Sequence, residues 1–107
     1  RGEIIVLKLP NSHSDPLIKR VVGLPGDTIE ITNGQVYIND ELLTEPYVTQ
    51  DTPGYVQRQI VPEEHLFVLG DNRGASNDSR YFGMVAYEDV LGRAWVRYWP
   101  LDEIGVF

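Results

Sequence analysis

Apolar and polar positions alternate with a period of two along most of this chain, which is the signature of β-strands rather than helices. Gly2 to Leu9 reads as a strand: Ile5, Leu7 and Leu9 share one parity, Ile4 and Val6 the other. Both faces are mostly apolar, so this strand is expected to be covered on both sides. Pro10 to Pro16 is a polar loop, and Leu17 to Gly23 is the next strand. Gly23-Leu24-Pro25-Gly26-Asp27 then stops the run, because Pro25 fixes φ and the glycines admit tight or left-handed geometry.

Thr28 to Asn39 is a predicted hairpin. Asn33-Gly34 suits a two-residue turn with positive φ at both centres. Pairing outward sets Ile31 against Val36 and Ile29 against Ile38, with Thr32–Gln35 and Glu30–Tyr37 on the other face. A second turn near Asn39-Asp40-Glu41 leads back through Leu42-Leu43. Residues 40–60 are expected to form a variable excursion, a loose loop or small β-ribbon. Its apolar content is Tyr47, Val48, Tyr55 and Val56. After a turn at Val61 to Glu64, His65 to Leu69 reads as a buried strand and Gly70 to Arg80 as a long polar loop. Glu88-Asp89 turns into a last strand, Val90 to Trp99, with Arg93, Trp95, Arg97 and Trp99 on a stacking face. No amphipathic helix of useful length is present. The expected fold is all-β, one domain over residues 1–107, built as a barrel or a pair of packed antiparallel sheets.

Composition narrows the function. The net charge of −7 argues against nucleic acid as a partner. No apolar run approaches the ~20 residues of a membrane span. Without cysteine there are no disulfides or thiolate metal sites. His13 and His65 form no local ligand motif, so neither a metal nor another cofactor is expected. The chain opens with Arg1 directly into a strand pattern and is read as a processed piece or fragment.

Chemistry concentrates at two places. Lys19 shares a strand face with Leu17 and Val21, and Arg20 shares the other with Ile18 and Val22. Either both cations snorkel to solvent from an edge strand, or one is held in apolar surroundings, where a lysine amine loses its proton more easily. The second place is Gly70-Asp71-Asn72-Arg73-Gly74-Ala75-Ser76-Asn77-Asp78-Ser79-Arg80. A calcium loop starting at Asp71 would need oxygen ligands where Arg73, Ala75 and Phe82 stand. Two readings remain. The loop is either held by its own side chains, with Asp78–Arg80 or Asp71–Arg73 pairs at the surface, or it brings a hydroxyl to orient a lysine amine.

Taken together, Ile18-Lys19-Arg20-Val21-Val22-Gly23-Leu24-Pro25-Gly26-Asp27 and the Gly70–Arg80 loop closely resemble bacterial type I signal peptidase. Gly2-Glu3-Ile4-Ile5-Val6 resembles that family's Gly-Asp strand, with Glu3 where aspartate is usual, and Tyr81-Phe82-Gly83 and Val90 to Ala94 also fit. The resemblance implies a β fold shared with LexA-like proteins and a serine endopeptidase of the Ser–Lys dyad type. It implies Lys19 as general base and Ser76 as the serine that positions it. Arg20, Asp71, Arg73, Asp78 and Arg80 would hold the site together, with Arg20 a partner for Asp71. Val6 and Ile18 would line shallow pockets for small side chains at the first and third residues before the cut. The implied partners are signal peptides of secretory preproteins, and, for the parent protein, the bacterial cytoplasmic membrane, with the catalytic domain on its extracytoplasmic face. The fragment itself is expected to be soluble.

The chain departs from the family at one point. The family's nucleophile lies in a Ser-Met-x-Pro motif upstream of the Gly-Asp strand. No Ser-Met occurs here, and the only serines are Ser12, Ser14, Ser76 and Ser79. The chain alone is therefore expected to be inactive, and dimerisation of the fragment through an exposed sheet edge is also an expectation. Two other classes fit parts of the pattern: a non-catalytic peptide-binding β module and a LexA-like self-cleaving domain. The latter would need a cleavage site and nucleophile of its own.

Overall fold

A computed structural model describes residues 2–9, 16–46, 48 and 50–93. The Trp95, Arg97 and Trp99 positions of the expected stacking face, Tyr47, Ser12, His13 and Ser14 lie outside the described residues.

The described strands are β1 (Ile4–Leu7), β2 (Leu17–Gly23), β3 (Thr28–Thr32), β4 (Gln35–Ile38), β5 (Glu41–Leu42), β6 (Val56–Ile60), β7 (His65–Leu69), β8 (Val85–Ala86) and β9 (Val90–Arg93). They form two antiparallel sheets, one of order β8-β7-β2-β1-β9 and one of order β5-β4-β3-β6. The all-β expectation holds in this form; among the described residues the sheets do not close into a barrel. The only α-helix described is a single turn, α1 (Ser79–Phe82), at the end of the expected polar loop. No helix among the described residues is long and apolar enough to cross a membrane.

Local chemistry explains the hairpin. Asn33 and Gly34 have φ of 53° and 80°, and β3 and β4 pair Ile29 with Ile38 and Ile31 with Val36. Asn39 and Asp40 repeat the left-handed geometry, at 53° and 66°, to turn β4 into β5. Both turns suit Asn and Asp, whose short side chains tolerate this region best after glycine.

The two sheets pack face to face. Val22, Phe67 and Leu69 from the larger sheet meet Ile29, Ile31, Val36, Ile38 and Val56 from the smaller. Burying one such side chain contributes about 1.5–3 kcal/mol. The larger sheet's opposite face carries a second cluster of Ile5, Leu7, Val21, Leu66, Val68 and Val85. Both faces of β2 are thus covered, and β2 is the central strand of five, not an edge. Lys19 is 5% exposed and Arg20 7%, so the snorkelling alternative is wrong for both. A central strand offers long side chains no short route to water.

The excursion after β5 ends in a strand: Val56–Ile60 pairs with β3, with a register shift between Ile29 and Ile31, and completes the second sheet. Thr52 is 3% exposed, while Tyr55, expected among the apolar content, is 68% exposed. The segment is anchored at the hairpin turn, where the Thr52 N–H donates to the Gly34 carbonyl at 2.8 Å. A Cβ on Gly34 would lie 3.0–3.1 Å from the Asp51 side chain, in addition to the strain of its positive φ. Gly34→Ala is therefore expected to destabilise the fold by about 1–3 kcal/mol, read as a lower denaturation midpoint.

Candidate active site

The antiparallel register of β2 and β7 builds the site. Arg20 pairs with Leu69 and Val21 with Val68, so the chain leaving β7 at Gly70 must run past Lys19 and Arg20. Residues about fifty apart in sequence are thereby neighbours. The Lys19 Nζ donates to Ser76 Oγ at 2.9 Å. Ile5 lies opposite Lys19 on β1, and Val21 and Val68 share its face, so the amine emerges from an apolar floor. Desolvation pushes the Lys19 pKa below its ordinary value of 10.5; the Asp78 carboxylate opposes this and the Arg80 guanidinium adds to it. The hydroxyl of Ser76 accepts from an ammonium and can equally donate to a neutral amine, so it holds Lys19 in either state.

On the opposite face, Arg20 forks onto Asp71, with Nε to Oδ1 at 2.8 Å and Nη2 to Oδ2 at 2.7 Å, and its Nη1 donates to the Gly2 carbonyl at 2.9 Å. This ties the start of the loop to β2 and to the residues preceding β1. Val6 and Ile18 are paired across β1 and β2 on this same face, both half-buried.

Asp78 is fully buried and collects four donors. Its Oδ1 accepts from Arg80 N at 3.1 Å and Arg80 Nε at 2.8 Å; its Oδ2 accepts from Gly70 N at 3.0 Å and Arg80 Nη2 at 2.7 Å. It thus caps α1 and closes the Gly70–Asp78 loop on itself. Arg80 reaches onward to the carbonyls of Arg73 at 2.8 Å and Pro53 at 2.9 Å. Ser79 is occupied structurally, because its Oγ accepts the Val68 N–H at 2.9 Å beside the β2 bulge.

The expected surface pairs need correction. Asp78 does pair with Arg80, but inside the protein. Asp71 and Arg73 do not pair with each other. Arg73, 1% exposed, forks onto Glu45, with Nη1 to Oε1 at 2.8 Å and Nη2 to Oε2 at 2.6 Å, and also donates to Thr52 Oγ1 at 3.0 Å and the Gly70 carbonyl at 2.6 Å. Glu45 and Thr52 were not legible as site residues. A glutamate and a threonine in a Thr/Pro/Gln-rich stretch carry no local signal, and the partner lies 28 and 21 residues away. Every buried side-chain nitrogen or oxygen among the described residues has at least one partner. No cluster of His, Cys, Asp and Glu suited to a metal occurs among the described residues.

Fold and site together define an all-β protein in which a buried lysine is hydrogen-bonded to a serine hydroxyl of a loop that three charge pairs hold in place, Arg20–Asp71, Arg73–Glu45 and Arg80–Asp78. The chain belongs to the signal peptidase (peptidase S26) family, whose model matches residues 1–99. It is 45% identical to a probable signal peptidase I-2 of Synechocystis over 99% of its length and 51% of that protein's. It is 36% identical to thylakoidal processing peptidase 1 of Arabidopsis thaliana, over 94% of this chain and 30% of that protein. A crystal structure of a signal peptidase I from Enterococcus faecalis superposes with a TM-score of 0.71 at 36% identity, over 88% of this chain and 94% of that one. The chain spans about half the length of the signal peptidase relatives from Synechocystis and Leptolyngbya laminosa, 51% and 55%.

Proposed function

We propose that this chain is the lysine-bearing part of a signal peptidase I, and that Lys19 is the general base of its Ser–Lys dyad. The observation that carries the reading is a desolvated lysine held at 2.9 Å by Ser76 Oγ. The nucleophile is a serine in a segment N-terminal to Gly2. The resemblance carries this placement, because the family's Ser-Met-x-Pro motif lies upstream of the Gly-Asp strand; the chain has no Ser-Met and spans 51% of a signal peptidase relative.

The neutral Lys19 amine takes the proton of the serine hydroxyl as its oxygen attacks the scissile carbonyl. The C–N bond breaks, the amine of the mature protein leaves with that proton, and an acyl-enzyme remains. Lys19 then activates a water, which releases the signal peptide as a carboxylic acid and regenerates the serine. Ser76 positions the base throughout. Arg20–Asp71, Arg73 and Asp78–Arg80 hold the loop that carries Ser76. Val6 and Ile18 line the pockets for the small side chains of an Ala-x-Ala site. The substrates are secretory preproteins presented at the extracytoplasmic face of a membrane.

The test compares the full-length protein with the 107-residue chain alone, each incubated with a preprotein bearing an Ala-x-Ala site. The full-length protein is expected to release a product whose N-terminal sequence starts after that site; an intact preprotein would refute the activity. The chain alone is expected to release nothing, and product from it would refute the placement of the nucleophile.

A further inference from the structure

The segment between β5 and β6 touches the site loop at four points. Glu45 and Thr52 hold Arg73; Gln50 Nε2 donates to Asn72 Oδ1 at 3.1 Å; the Pro53 carbonyl accepts from Arg80 Nη1 at 2.9 Å. The segment is itself fastened to the hairpin turn through Thr52 N and Gly34. It therefore acts as a strap from the second sheet to the loop over Lys19.

The links continue to the amine. The Arg73 carbonyl accepts from Arg80 Nη1 at 2.8 Å, Arg80 forks onto Asp78, and Arg80 Nη2 lies 3.5 Å from the Ser76 carbonyl. Ser76 Oγ receives Lys19. Resting on the general-base reading above, we propose that Glu45 and Thr52 are positioning residues that act through Arg73 to hold the Ser76–Arg80 segment over Lys19 and keep water from its amine.

Chemistry favours this over simple bracing. Glu45 meets the guanidinium fork with both oxygens, and Thr52 adds a third acceptor, a geometry that fixes orientation as well as position. What Arg73 positions is the source of both charges that act on Lys19, Asp78 and Arg80. The neighbouring strands contribute apolar Ile5 and Val68 to that face. Loosening the strap lets the loop lift and rehydrates the amine, so protonation of Lys19 reports on the strap directly.

The experiment follows the Lys19 ¹³Cε resonance against pH in the full-length protein, with cleavage kinetics in parallel. Wild type is compared with Glu45→Ala, Glu45→Gln, Thr52→Val and, as a surface control, Arg58→Ala, whose pair with Asp40 is exposed. In Glu45→Ala the Lys19 titration is expected to move up toward 10.5, and the pH–rate limb to move with it. kcat should fall roughly ten- to hundredfold while KM stays within about twofold. Glu45→Gln, which keeps one acceptor, should recover part of the loss, and Arg58→Ala should match wild type. If Glu45→Ala does not fold, Thr52→Val removes one hydrogen bond and keeps the ion pair, and must show the same shift at smaller size. Folded variants with an unmoved Lys19 titration would overturn the proposal and leave the strap a stabilising element only. A wild-type lysine that titrates at its ordinary value would instead overturn the general-base reading.

Discussion

Lys19→Ala in the full-length protein is expected to reduce preprotein cleavage by roughly 10²–10⁴-fold, the contribution of a positioned general base. Lys19→Arg should be as inactive, because a guanidinium stays protonated at any working pH. Stability should move the other way. Lys19 is buried with its pKa depressed below 10.5, so the folded state binds fewer protons than the unfolded chain between the depressed value and 10.5. The slope of stability against pH follows the protons bound unfolded minus folded, which is positive in that window. Stability attributable to this site therefore rises with pH there, and below the window the buried charge is a penalty that Asp78 offsets only in part. Lys19→Met, which fills the space without a charge, is expected to raise the urea midpoint at about pH 6, with a smaller gain at about pH 10. A flat difference across that range would contradict a depressed lysine.

Asp78→Ala is expected to be the most damaging change to the fold. The Asp78 carboxylate is fully buried, and the side chain of its partner Arg80 is 1% exposed. Removing one partner leaves a buried guanidinium uncompensated, at a penalty of about 3–5 kcal/mol. That is a large share of the ~5–15 kcal/mol that holds a domain of this size together. The Gly70 N–H loses its acceptor at the same time, and α1 loses its cap. Urea denaturation of the variant beside Arg58→Ala separates burial from charge. Arg58 also forks onto an aspartate, Asp40, but both are exposed, and its loss should barely move the midpoint. A small shift for Asp78→Ala would mean that water reaches Arg80 and that the loop is looser than the geometry describes.

Whatever depends on short-range chemistry was readable from residues. The bounds of β2, the Asn33-Gly34 turn and the register of β3 with β4 follow from period-two patterning and from residues that tolerate positive φ. β6 was not readable, because Val56-Gln57-Arg58-Gln59-Ile60 buries only its first residue and carries no clean alternation. The loop's pairings do not follow sequence proximity: Asp71 and Arg73, two residues apart, reach to Arg20, as the family resemblance implies, and to Glu45, which nothing local signals.

Lys19 shows where the division falls. Its place in an apolar strand followed by a Gly-Leu-Pro-Gly turn, and the family that this pattern and the Gly70–Arg80 loop resemble, were set by the sequence alone. Whether it is buried, and what faces its amine, was decided by the tertiary structure. Desolvation belongs to the enclosure rather than to the residue. Here the surroundings are Ile5 of β1, Val68 of β7 and the loop that brings Ser76, and Arg73 of that loop is held by Glu45 and Thr52, whose local sequence carries no sign of it.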